Sequence, residues 1–206
     1  MTEPIVLSAE EVHFIADTKF FLAKARISAK IRRILEQVHE ALRSELKGKA
    51  LLVPGRFTLD AFQFVKGEHL EHFSYQYLDF PRFYSREEKF SFRTLFWWGH
   101  HVVFALIIEG GHLRSYKQNL MNRYSEIAGR GVCLCLGDSL WEWKRGPGYT
   151  LEITRERKTE VAAVLAHRPF FKLARFVPMN DPAVSTGGLV SIGREALQAV
   201  LPVITT

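Results

Sequence analysis

Gly67-Glu68-His69-Leu70-Glu71-His72 is the densest group of metal-ligating side chains in the chain. On a helical turn His69 and His72 would share a face, and imidazole with carboxylate suits zinc or iron. The pair lacks the helix-borne HExxH spacing and has no evident third ligand. A solvated turn leading into a strand at His72 is the better reading, and no metal is expected. Cys133 and Cys135, separated by one residue, share one face of a strand, too far apart for a comfortable disulfide and without a partner pair for zinc, so they read as packing residues. Gly137-Asp138-Ser139 places a carboxylate beside a hydroxyl, but Asp and Ser serve turn geometry in such a position.

Trp97-Trp98-Gly99-His100-His101 interrupts an apolar run over residues 95–108. Gly99 is its one breaker, and Gly followed by any residue marks a tight hairpin. A two-residue turn at Gly99-His100 pairs Trp98 with His101, Phe96 with Val103 and Phe92 with Ile107, leaving Leu95, Trp97, Val102, Phe104 and Leu106 on the other face. Both faces are apolar, so the hairpin is expected at the centre of a sheet. Arg93, Trp97, His100 and His101 together outline a candidate pocket for a small enzyme.

A different chemistry comes from the long helix expected over Thr18–Lys47. Residues 18–33 carry Lys19, Lys24, Arg26, Lys30, Arg32 and Arg33 with no acid among them. That order opposes the helix dipole, which favours acids at the start by about 0.3–1 kcal/mol per charge. Lys19, Arg26, Lys30 and Arg33 fall on one stripe, a candidate anion-binding surface. Further cations stand beside aromatics at Arg82, Phe83, Tyr84, Arg86, Lys89, Phe90, Phe92 and Arg93. Cations follow phosphates and aromatic faces stack bases, yet no RNA- or DNA-binding signature occurs. GxxxxGK[ST], GxGxxG and GxSxG are also absent, so no nucleotide cofactor is implied.

The bulk numbers agree with a binder of this kind. The chain has 206 residues, 28 Lys and Arg against 22 Asp and Glu, and a formal charge of +6. That balance permits nucleic acid or a phosphorylated small molecule as partner without requiring either. A chain this long buries a core without staples. The start lacks a cationic segment followed by an apolar one, the longest apolar run is too short for a bilayer, and disulfides are not indicated. A cytoplasmic protein with no membrane partner is therefore expected.

The elements must position these groups. Ser8 caps a short helix from residue 9, and Ile27, Ile31, Ile34, Leu35, Val38, Leu42 and Leu46 give the long helix its inner stripe up to Gly48. Residues 57–61, 72–77, 90–97 and 102–108 alternate like strands. A helix over 112–128 buries Leu113, Tyr116, Leu120, Tyr124 and Ile127. Residues 132–136 turn at Gly137-Asp138 into a strand at 139–143, which places Val132, Leu134, Trp141 and Trp143 on one face, and a third strand at 149–154 follows. A helix at 158–167, a strand at 170–177, a loop at 179–190 and a final helix at 192–201 capped by Ser191 complete the chain. The sum is one α+β domain over residues 1–206, a largely antiparallel sheet of six to eight strands with helices against it.

This order of elements resembles the YktB-like family of bacterial proteins of unknown function. The residues that carry it are Phe96-Trp97-Trp98, the strand from His101 to Glu109, and the aliphatic strand ending in Gly137-Asp138, within residues 8–140. The resemblance implies a compact α+β domain and brings no catalytic residue. The leading expectation is a non-enzymatic binder of an anionic partner through the basic helix. A small enzyme with its pocket near Gly99, or a protein-protein interaction module, are the alternatives.

Overall fold

The computed structural model describes residues 3–55 and 57–206. Two helices open the chain, α1 (Ala9–Ile15) and α2 (Thr18–Leu46), followed by β1 (Gln63–Leu70), β2 (Phe73–Tyr84), β3 (Lys89–Trp97) and β4 (His101–Glu109). Next come α3 (Leu113–Asn122), α4 (Tyr124–Ile127), β5 (Cys133–Cys135) and β6 (Thr150–Glu152). The chain closes with α5 (Lys158–Ala166), β7 (Phe170–Pro178), α6 (Pro182–Thr186) and α7 (Leu189–Ile204). The seven strands form one sheet in the order β1-β2-β3-β4-β7-β5-β6, every pairing antiparallel. This is the expected α+β architecture.

The central strands are buried on both faces, as the apolar run predicts. One face carries Phe92, Phe96, Val102, Phe104 and Leu106 and packs under the helices. There α2 buries Ile31, Leu35, Val38, Leu42 and Leu46, spaced at three and four residues so that they share one side. Helix α7 crosses β4, and at Gly193 a Cβ would lie 2.8 Å from the Phe104 ring. Only a residue without a Cβ lets the helix come this close. The opposite face carries Leu95, Trp97, Val103, Ala105 and Ile107, and no helix among the described residues contributes to its buried cluster. Its cover is the segment between β5 and β6, through Leu140 and Trp143.

The hairpin register differs from the expected one by a residue. Trp97 faces His101, Phe96 faces Val102 and Phe92 faces Leu106. The turn holds three residues, Trp98 to His100, closed by the His100 N–H donating to the Trp97 carbonyl at 3.1 Å, with Gly99 at φ 74°. A one-residue slip moves side chains to the other face, so Val103 rather than Val102 joins Leu95 and Trp97.

Other boundaries shift for packing reasons. Residues 57–61 form no strand; β1 holds the sheet edge instead, and Phe57 packs edge-on against Phe90 at 5.4 Å. Residues 139–143 form no strand either. Lys172, buried on β7, donates its ammonium hydrogens to the carbonyls of Leu140 and Glu142, which are thus withheld from a ladder. β5 pairs with β6 in their place, and Trp143 packs with Cys133 and Cys135 rather than with Val132 and Leu134. The helix expected over 112–128 breaks at Arg123, whose guanidinium satisfies the Pro202 and Thr205 carbonyls near the end of α7. α7 starts at Leu189, not after Ser191, because Leu189 is itself buried, and residues 182–186 of the expected loop form α6.

Candidate functional site

The helix-free face of the sheet holds an open pocket of about 430 Å³, within the size range of small-ligand sites. Its floor comes from β2 and β3. Tyr75, Tyr77 and Asp79 point to this face in strict alternation, opposite Trp97, Leu95 and Arg93. Between Asp79 and Arg82 the register shifts by one residue, a bulge at Phe80-Pro81. The bulge changes parity, so Arg82 and Tyr84 join Tyr75, Tyr77 and Asp79 on one face, while Phe80 turns inward under α2. Trp141 and Trp143 wall the pocket from the crossing segment.

Asp79 is wholly buried and Arg93 nearly so. The guanidinium donates from Nε to Oδ1 and from Nη2 to Oδ2, both at 2.7 Å. The Tyr84 hydroxyl donates to Oδ2 at 3.0 Å. The Arg93 guanidinium also lies 3.7 Å from the centre of the Tyr77 ring and 5.0 Å from that of Trp141, close enough for cation–π attraction. Burial works against the charge of Arg93, but the hydrogen bonds and charge of Asp79 outweigh it and hold the guanidinium protonated. Burial, aided by the Asp79 charge, pushes the Tyr84 phenol up, so it stays a neutral donor. With both carboxylate oxygens committed, Asp79 neutralises Arg93 and leaves Arg82 as the pocket's uncompensated cation. Arg82 makes no ion pair among the described residues, and its buried Nε–H has no acceptor there. Its guanidinium sits 4.9 Å over the Tyr84 ring.

The crossing segment is tied down at several points, at its start by Arg168, which donates to the carbonyls of Leu136 and Gly137. Lys172 anchors Leu140 and Glu142 and lies 3.8 Å over the Trp143 ring, its pKa lowered by burial to about 8. Lys144 pairs with Glu71 of the β1–β2 turn at 2.9 Å. His101 bonds through Nε2 to the Trp143 carbonyl at 2.9 Å. A carbonyl only accepts, so Nε2 carries the hydrogen, and burial lowers the His101 pKa to favour that neutral form.

Of the four residues expected to outline a pocket, Arg93 alone lines this one. Trp97 is buried, donating to the Leu70 carbonyl at 3.0 Å. His100 stacks on the Trp97 ring at 3.7 Å rather than projecting at a tip, and His101 meets Trp97 edge-on instead of packing beside Trp98. Arg82 and Tyr84 stood among the cations beside aromatics and Tyr75 and Tyr77 in an expected strand, but Asp79 was missed, and the bulge hid that all five share one face; the signal was a charged pair inside otherwise apolar strands. The basic stripe lies elsewhere. Lys19, Arg26, Lys30 and Arg33 are all exposed and unpaired among the described residues, whereas Lys24 holds Glu68 and Arg32 holds Glu36. Burial pushes the Cys135 thiol up to about 11, so it is protonated and inert. His69 and His72 belong to the β1–β2 hairpin, and no group of three ligating side chains able to hold a metal occurs among the described residues. No helix among them is long and apolar enough to cross a membrane. No protein-family model, curated protein or solved structure matches the chain.

Proposed function

We propose that the protein binds a small anionic ligand that carries a planar ring, such as a phosphorylated metabolite with an aromatic base. The carrying observation is Arg82, a cation with a buried unpaired N–H, set in a pocket walled by Tyr75, Tyr77, Tyr84, Trp141 and Trp143. Ring faces supply the stacking surface and Arg82 supplies the charge-assisted hydrogen bonds to phosphate or carboxylate. Titration with adenosine monophosphate, phenyl phosphate and indole-3-carboxylate, read by tryptophan fluorescence, tests this. Binding that weakens roughly 10- to 100-fold in Arg82→Ala, the worth of a hydrogen bond to a charged group, is the expected result. Binding indifferent to that change, or none across the set, contradicts it.

A second reading keeps the stripe on α2 as the contact for an extended polyanion such as nucleic acid. The exposure of all four unpaired cations supports it. Its mark is affinity that falls steeply with salt.

A further inference from the structure

No side chain in residues 3–27 is buried, and ten large apolar side chains there stand in solvent, Ile5 fully so. Val6, Leu7, Phe14, Phe20 and Phe21 are among them. Exposed apolar surface on this scale marks an interaction site. The arm is also divided by charge. Residues 3–17 hold Glu3, Glu10, Glu11 and Asp17 without Lys or Arg, and the cations of residues 18–33 follow without an acid. One chain therefore displays an acidic apolar segment beside an unpaired basic stripe.

An apolar groove of about 300 Å³ lies next to that stripe. Ile27, Ile31 and Ile34 of α2 form one wall, Phe96 and Trp98 the floor, and Val184 of α6 the far side, with Lys30 at the rim. The Trp98 indole N–H is buried with no acceptor among the described residues. An unmet buried donor is costly, and the backbone carbonyl of an extended segment would meet it. The non-helical stretch Glu3–Leu7, which precedes the capped start of α1, is such a segment. In the single chain Ile5 is fully exposed, so the arm does not fill its own groove.

We propose that the groove receives Ile5–Leu7 of a second copy of this chain, in a reciprocal exchange that lays each acidic arm along the other's basic stripe. A two-fold dimer requires both complementary patches on the same chain, and both are present. This inference is independent of the ligand pocket on the other sheet face.

Sedimentation equilibrium of the full chain tests it, with Glu3→Lys/Glu10→Lys and Lys30→Glu/Arg33→Glu as exposed, fold-neutral variants. The wild type is expected to be dimeric and each variant monomeric. An equimolar mixture of the two variants should dimerise again, because each reversed arm then meets a reversed stripe. Ile5→Cys/Val184→Cys should also oxidise to a disulfide between chains. A monomeric wild type, variants that still dimerise, or a disulfide closed within one chain would each overturn the exchange. So would a monomer that binds nucleic acid through Lys30 and Arg33, which would give the stripe to a polyanion.

Discussion

Asp79 and Arg93 face each other across β2 and β3, and their side chains close a two-pronged ion pair with both contacts at 2.7 Å beneath the pocket of the helix-free face. The pair sets the charge of the site. With Arg93 neutralised, the pocket's free positive charge is that of Arg82. It also sets a liability, since a buried pair stabilises little by itself but is costly to break.

Arg93→Met strands the Asp79 carboxylate, and urea unfolding is expected to show a loss of about 3–5 kcal/mol. The combined Asp79→Leu/Arg93→Met variant is expected to lose clearly less than the sum of the single changes. Additive losses would mean that the two groups do not depend on each other.

Lys172 imposes a pH dependence. Its folded pKa, about 8, lies below the unfolded 10.5 because burial penalises the ammonium. The unfolded chain therefore binds more protons between these values, so the penalty is full below about 8 and fades as pH rises. The Cys135 thiol, raised from 9.0 to about 11, acts in the opposite sense at higher pH. The comparison of wild type with Lys172→Met isolates the lysine. Between pH about 8 and 9 the wild type should gain up to about 1.4 kcal/mol per pH unit relative to the variant. Parallel stability profiles would contradict the assignment.

Gly193→Ala sets helix propensity against packing. Alanine favours a helix interior by about 1 kcal/mol, but its Cβ would press into the Phe104 ring, and overpacking a tight core costs about 1–3 kcal/mol. Phe104 is buried in the centre of the sheet and cannot swing away, so a net loss in thermal unfolding is expected. A stabilised variant would show that α7 lifts without cost.

Much of the frame was legible because period and burial coincide. The stripe Ile31, Leu35, Val38, Leu42 and Leu46 announced α2, and two-sided apolarity announced β3 and β4 as central. The site was less legible because two irregularities decide it. The bulge at Phe80-Pro81 changes which residues share a face, and no alternation pattern reveals a parity change. The three-residue turn at Gly99 does the same for β4. The crossing segment reads as a strand by its alternating tryptophans, and only Lys172, some thirty residues later in the chain, claims its carbonyls.

The pocket contains Trp141 and Trp143, whereas Trp98 lies on the opposite side of the sheet. The most direct measurement follows the four indole N–H resonances by NMR during titration with adenosine monophosphate, with adenosine and inorganic phosphate as its separate halves. Trp141 and Trp143 are expected to shift and Trp98 to stay put, neither half alone should match the whole, and Arg82→Ala should move the midpoint to roughly 10- to 100-fold higher ligand concentration. Unmoved Trp141 and Trp143 signals, or a midpoint unchanged by Arg82→Ala, would contradict the proposed ligand site.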